Sequence, residues 1–509
     1  MTENTVPLDG RSLSLEEFLA VVRGQRVVAL TPGAHAGLAA SRAAVERAVR
    51  EGRTIYGVTT GFGALSDRPI SPAKARELQV SLVRSHASGT GPALPRDVVR
   101  GLVLLRLNSL ARGHSGIRPE VADRLVELLN RNLVPWIPEQ GSVGASGDLA
   151  PLAHLALALT GEGAFVGRSG EPESARDVLA RERIVPLELV EKEGVALLNG
   201  TALMASYLAL SVADARALLD AALLAAALSY DALEGSPESL DDRLGEVRNS
   251  PDQRAVASAL RTLLDGSQLS VRRTTWSGQD PYTLRCLPQV LSAVRLALAF
   301  AEGVVATELN AVTDNPLVFE NDEFVSGGNF HGQPLALTLD TLAIAVQYIA
   351  GFSERRVARI VHPALNRGLP AFLSPEPGVS SGFMVPQYLS AALVNENATL
   401  VHPASGTSLS TSADQEDFVS MGPWAGQKLR RVLANTRRAV AVEWIVAGQA
   451  LELRRPRQGG RGSEAALKAL RARVAPWTRD RSPASDIERV AAAIESGEIV
   501  REVRSQVPF

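Results

Sequence analysis

From Leu203 onward the chain is laid out in long apolar-rich runs: Leu203 to Leu233, Gln289 to Leu309, Leu335 to Ile360 and Gln427 to Leu453. In the third, Leu335, Leu339, Leu342, Val346 and Ile349 recur at three- and four-residue steps, which places them on one face of a helix. Alanine-rich helices of this length pack side by side in a bundle. The first run is apolar nearly all round, the pattern of a helix buried on several faces. The N-terminal part is cut more finely. Ser14 to Glu17 opens a helix, Val27 to Leu30 is a short apolar stretch, and Ala34 to Arg50 is helical in pattern. Thr54 to Val58 reads as a short extended segment entering the Gly-rich loop Thr59 to Gly63. Helical sequence resumes over Pro72 to Arg84, Pro95 to Leu110 and Pro119 to Asn130, and the polar, Gly-rich patch Gly161 to Glu173 reads as a hairpin. The expected fold is mainly α: a long-helix bundle with a smaller N-terminal mixed α/β portion that carries the Gly-rich loops. The expected layout is 1–201 for that portion, 202–457 for the bundle and 458–509 for peripheral C-terminal helices, all within one continuous unit.

Composition narrows the function classes. A chain of 509 residues at 45% hydrophobic and 21% charged reads as a globular protein with a large core. A formal net charge of -2 supplies no electrostatic reason for a nucleic-acid or anionic-membrane partner. All but four of the 53 basic residues are arginine, a bias that carries no function. One cysteine, Cys286, excludes an intramolecular disulfide framework and a multi-cysteine zinc site, and the seven histidines show no metal-ligand spacing. Met1 to Leu19 has early acids and no apolar signal core, and no uncharged apolar run reaches membrane-spanning length, so a cytoplasmic location is expected.

The chemistry is concentrated in Gly141-Ser142-Val143-Gly144-Ala145-Ser146-Gly147-Asp148-Leu149-Ala150-Pro151-Leu152, a tight, small-residue stretch between apolar helical runs. A turn that brings the Gly147 nitrogen onto the Ala145 carbonyl carbon can close a five-membered ring. Dehydration with loss of the Ser146 hydroxyl then leaves a conjugated, electron-poor methylidene. The same residues also read as a plain helix entry with Asp148 near the N-terminus. A Gly-x-Ser-x-Gly nucleophile elbow is disfavoured because Asp148 stands where its second glycine belongs. Five further segments carry reactive side chains. Tyr56-Gly57-Val58-Thr59-Thr60-Gly61-Phe62-Gly63 sets a tyrosine among glycines that permit a mobile lid, or simply packs it. Ser85-His86 follows, and Asn199 is placed to cap the next helix. In Gln279-Asp280-Pro281-Tyr282-Thr283-Leu284-Arg285, the arginine can hold a carboxylate by two parallel hydrogen bonds. Thr411 to Gly422 contains Gln415-Glu416, an acid that must be partnered or mechanistic if it is buried.

Together these segments, with Thr313-Asp314-Asn315-Pro316 and Gly328-Asn329-Phe330-His331-Gly332, resemble the aromatic amino acid ammonia-lyases and related aminomutases, most of all the histidine lyases. The resemblance runs from Tyr56 to Gly422 and covers nearly the whole chain. It implies that Ala145-Ser146-Gly147 cyclises autocatalytically to 4-methylidene-imidazol-5-one (MIO), with no metal and no pyridoxal phosphate. It further implies that Tyr56 is the catalytic base, that Ser85 and His86 line the pocket for the substrate ring, and that Asn199 contacts MIO and the substrate amine. Tyr282 is an implied active-site tyrosine, Arg285 and Asn315 hold the substrate carboxylate, and Phe330 lies against the substrate. Gln279 and Gln415 fall among the implied substrate-binding residues. Gln415-Glu416 and Ser85-His86 point to L-histidine, eliminated to trans-urocanate and ammonia. Three positions depart from the usual pattern: Thr59 replaces Asn or Ser, Phe418 replaces a His, and Pro403 to Ser410 lacks an acidic residue common in histidine lyases. The alternative is a tyrosine or phenylalanine ammonia-lyase, or a 2,3-aminomutase. A homotetramer with active sites shared between subunits is also implied.

Overall fold

The computed structural model describes residues 4–272 and 278–509. Met1 to Glu3, the start of the segment read as lacking a signal core, lie outside them. The chain forms two compact units, and four of the five boundaries between them fall within long helices: Ala202–Ala232, Leu287–Glu308, Gln333–Val361 and Gly422–Glu452.

The first unit comprises Met1–Leu210, Glu302–Leu339 and Ala404–Gln427. Among the described residues every strand belongs to it, in four two-stranded ladders. Thr5–Leu8 pairs in parallel with Val27–Leu30, in the register Thr5 to Val27. Thr90–Ala93 with Pro138–Gln140, Ala164–Val166 with Pro172–Ser174, and Leu317–Val318 with Phe324–Val325 are antiparallel. The third ladder is the hairpin expected near Gly161. Its helices follow the sequence pattern closely. Ser14 caps Leu15–Val22 in a reciprocal box with Glu17, satisfying amides that the helix start would leave open. Pro119–Asn130 buries Val121, Ala122, Leu125, Leu128 and Leu129, a single apolar stripe.

One local expectation fails. Thr54 to Val58 is a turn, not an extended segment: the Val58 and Thr59 amides both donate to the Ile55 carbonyl, at 3.1 and 3.0 Å. Thr59 explains the difference. Its hydroxyl accepts from the Ile55 amide at 2.8 Å and donates to the Arg53 carbonyl at 2.7 Å, supplying the partners that a neighbouring strand would.

The second unit comprises Ser211–Ala301, Asp340–Pro403 and Lys428–Phe509. Among its described residues the named elements are all helices. Its core buries Trp444, whose indole donates to the Ala221 carbonyl at 2.9 Å. A buried ion pair between Arg356 and Glu443 is completed by the Ser229 hydroxyl, so no charge is left uncompensated. Leu335, Leu339, Leu342, Val346 and Ile349 are all buried, as their spacing requires. Leu287–Glu308 and Gln333–Val361 are long and apolar enough to cross a bilayer by length and composition. Both carry charged side chains, Arg295 and Glu302 in the first and Asp340 with Glu354 in the second.

Candidate active site

The Gly-rich stretch links strand Pro138–Gln140 to helix Leu149–Thr160. Its middle is pinned from both sides. The Gly200 amide donates to the Ser146 carbonyl at 3.3 Å, and the Asp148 amide donates to the Gly200 carbonyl at 2.7 Å. Between those bonds Gly147 has φ +82°, and a Cβ there would lie 2.1 Å from the Gly200 carbonyl oxygen. Only glycine fits. Ser146 itself sits at φ +48°, a left-handed conformation that costs a non-glycine residue about 1 kcal/mol or more. The surrounding contacts over-determine a strained turn at the triplet.

Asp148 stands at the N-cap of Leu149–Thr160, where the helix-entry reading puts it. It makes no capping bond to its own helix. Instead its Oδ2 accepts from the Leu203 and Met204 amides, at 2.7 and 3.2 Å, in the first turn of Ala202–Ala232. Burial pushes its carboxyl up to about 7, against the opposing effect of those two amides. Asn199, expected to cap that same helix, is free of the task. Its Nδ2 donates to the Asn315 carbonyl at 3.1 Å. A carbonyl only accepts, so this bond identifies Oδ1 as the other atom of the amide, and that oxygen is buried without a partner.

A cavity of about 680 Å³ gathers Tyr56, Ser85, His86, Ala145, Ser146, Asn199 and Glu416. Phe62, Leu65, Ile70, Leu78, Leu82, Val143, Leu149, Val195 and Leu198 supply its apolar wall. The Tyr56 hydroxyl accepts from the Gly63 amide at 3.2 Å, and its ring meets Phe62 edge-on with centroids 6.1 Å apart. Ser85 and His86 end the helix Ala75–His86. His86 Nδ1 lies 2.9 Å from the Leu82 carbonyl, which only accepts, so Nδ1 carries the proton and Nε2 is the acceptor of the neutral ring. Burial holds this imidazole below its ordinary range, and the Leu82 carbonyl and the Glu416 charge pull the other way. Glu416 is presented by a tight loop in which Thr411 and Glu416 exchange backbone hydrogen bonds at 2.9 and 3.3 Å. Ser412, Ala413 and Asp414 in that loop are all left-handed, at φ 54°, 53° and 65°. Glu416 Oε2 is buried and lacks any protein donor. An apolar cavity with an unpaired carboxylate oxygen and an imidazole acceptor suits a flat ring that carries an N–H.

Other expected site residues lie elsewhere. Gln279, Tyr282 and Arg285 belong to the second unit. There the Arg285 guanidinium stacks over the Tyr282 ring at 4.6 Å, Tyr282 is 66% exposed, and Arg285 Nε is buried without a partner. Gln279 is exposed. Asn315 is buried behind Asn199, with its Oδ1 accepting from the Gly327 amide at 2.8 Å. Phe330 is half-buried and Gln415 exposed, and neither lines the cavity. Gly147 is held just behind the cavity wall that Ala145 and Ser146 form. Sequence reading passed over Arg106, whose fully buried guanidinium donates to the Asn199 carbonyl at 2.6 Å and also to the Ala196 carbonyl. The available signal was an arginine inside the otherwise apolar run Gly101 to Leu107. Among the described residues no group of three His, Cys, Asp or Glu side chains is placed to hold a metal ion.

Known proteins match the chain over nearly its full length. A histidine ammonia-lyase of Symbiobacterium thermophilum is 49% identical over 497 residues, covering 97% of this chain and 98% of that protein. One from Deinococcus radiodurans is 48% identical over 494 residues, covering 96% and 94%. Among solved structures, tyrosine aminomutase from Streptomyces globisporus superposes with a TM-score of 0.94 at 38% identity, covering 99% of each chain. Histidine ammonia-lyase from Trypanosoma cruzi gives 0.91 at 38% identity, covering 99% of this chain and 96% of that one. The model of the aromatic amino acid lyase family matches residues 13–472, which takes in the strained triplet, the cavity and the helices that hold both. With the motifs, the fold and the full-length relatives in agreement, the chain belongs to the aromatic amino acid lyase family.

Proposed function

We propose that the protein eliminates ammonia from L-histidine to give trans-urocanate. The observation that carries this reading is Glu416: its unpaired, buried Oε2 shares one cavity with His86 and with Ala145 and Ser146. The triplet suits MIO formation, because its turn is strained at Ser146, pinned at Gly147, and open to the cavity on the side of Ala145 and Ser146. Once formed, MIO supplies an electrophile for the substrate amine, which is otherwise a poor leaving group.

The chain's own groups do the rest. Glu416 accepts from the imidazole N–H and fixes the ring's plane, with His86 lining the pocket beside the ring. Tyr56, held through its oxygen by the Gly63 amide, accepts the β-proton. The C–H electron pair becomes the Cα–Cβ double bond as the C–N bond breaks. Asn199 offers Oδ1 to the amine. The apolar wall excludes water from the reacting atoms. Arg285, with Asn315, holds the carboxylate by paired charge-assisted bonds, and Tyr282 lies over Arg285. Gln279, Phe330 and Gln415 complete the substrate contacts. We further propose, from the family resemblance, that sites are shared between copies of the chain in a cytoplasmic homotetramer of D2 symmetry.

The second reading is a tyrosine or phenylalanine lyase, or an aminomutase; the close superposition on a tyrosine aminomutase favours it. The deciding experiment supplies L-histidine, L-tyrosine and L-phenylalanine separately and follows ammonia and ultraviolet product, alongside an intact mass. Urocanate from histidine alone, with a mass two waters below the sequence value, is the expected result. Coumarate or cinnamate would move the assignment to the second reading, and β-amino acid without ammonia would make it a mutase. A full sequence mass with no turnover would refute the mechanism.

A further inference from the structure

Behind the cavity wall lies a buried charged cluster that the reaction scheme leaves unused. Lys192 and Asp314 are both fully buried and paired, Nζ to Oδ2, at 2.8 Å. Lys192 breaks two local rules at once. It sits at φ +76°, and it places a cation at the N-terminus of the short helix Glu193–Leu198, where the helix dipole opposes it. A residue that defies both backbone and dipole preferences is held there by something distant.

That something is the tie to Asp314, and its reach is specific. The helix that Lys192 starts ends on Asn199. Asp314 directly precedes Asn315, and its second oxygen accepts from the Asn315 amide at 2.7 Å. The two segments joined by the Asn199–Asn315 hydrogen bond are therefore both anchored by the one ion pair. Arg106 closes the opposite end. It donates to the Ala196 and Asn199 carbonyls, the last turn of the same helix, where a cation is favourable. It also packs on Gly200, where a Cβ would lie 2.7 Å from its Nη1. Gly200 is in turn the residue that pins Gly147.

We propose that Lys192, Asp314 and Arg106 are positioning residues, which hold the Asn199 side chain with its free oxygen toward the bound amine. The proposal rests on the lyase reading above. None of the three touches the cavity; each acts through the backbone on either side of Asn199.

A single change would leave a buried charge unpaired and risk unfolding, so the test uses the paired variant Lys192→Met with Asp314→Asn. Thermal melting confirms the fold, intact mass reads the two-water deficit, and steady-state kinetics with L-histidine separates kcat from KM. The expected outcome is a folded protein that keeps the deficit, with kcat lowered about 100-fold, as small misplacements of a reacting group do. KM should stay within about threefold of the parent. Repeating the paired change in an Asn199→Ala background should cost less than about threefold, because the group being positioned is gone. A wild-type kcat, a lost mass deficit, or the same loss in both backgrounds would each overturn the proposal. Arg106→Lys decides the matter if the paired variant does not fold. It keeps the charge but reaches only one carbonyl; a loss of tenfold or more in kcat supports positioning, and a smaller loss refutes it. A wild-type protein with neither turnover nor mass deficit would refute the lyase reading itself, before any variant is compared.

Discussion

Glu416→Gln is the sharpest test of substrate choice, because it changes one charge and almost no volume. In the free protein Glu416 Oε2 is buried with no donor, so the cost of desolvating it is already present before substrate binds. A substrate N–H recovers that cost through a charge-assisted bond, worth about 1.5 to 3 kcal/mol net against about 0.5 to 1.5 kcal/mol for a neutral one. Glutamine retains an acceptor but no charge, so the loss is about 1 to 2 kcal/mol. At 1.36 kcal/mol per tenfold, kcat/KM for L-histidine should fall about 5- to 30-fold. L-Phenylalanine has no donor on its ring, so its kcat/KM should change by less than about twofold. Where phenylalanine turnover is too slow to follow, inhibition constants for urocanate and cinnamate report the same contrast. The assay is steady-state product absorbance for parent and variant at one pH. Equal losses for both rings would show that Glu416 is structural and would remove the reason to place an imidazole beside it.

Three other outcomes follow from the geometry. Ser146→Ala lacks the leaving oxygen, so intact mass should show the full sequence value and ammonia release should vanish; undiminished turnover would sink the mechanism. The Asp148 carboxyl titrates near 7 in the folded chain and near 3.8 when unfolded, so its contribution to stability is full below about pH 4 and is lost as pH rises through about 7. Asp148→Asn should therefore gain melting temperature relative to the parent across that interval, and a constant difference from pH 4 to 7 would contradict the buried, protonated assignment. Thr59→Val removes the hydroxyl that satisfies the buried Ile55 amide, which should cost about 1 to 3 kcal/mol and loosen the turn carrying Tyr56. Thermal melting together with kcat checks this, and a variant unchanged in both would show that the hydroxyl contributes nothing.

What the sequence determined by itself is whatever depends on neighbours a few residues apart. Helical spacing placed the long helices close to their observed ends, because a stripe such as Leu335 to Ile349 has one way to bury its apolar face. Ser14 and Glu17 announced a helix start for the same local reason. The reactive segments were also legible, since each keeps its own short pattern around Tyr56, Ser146 or Glu416. Tertiary structure alone decided which distant groups satisfy which. Asp148 caps the helix that begins at Ala202 and not its own, Thr59 folds a predicted extended segment into a turn, and Lys192 reaches Asp314 across 122 positions. It also set Arg285 and Tyr282 in a different unit from the cavity. Buried polar and charged groups must find partners wherever packing provides them, and no local spacing records where that is.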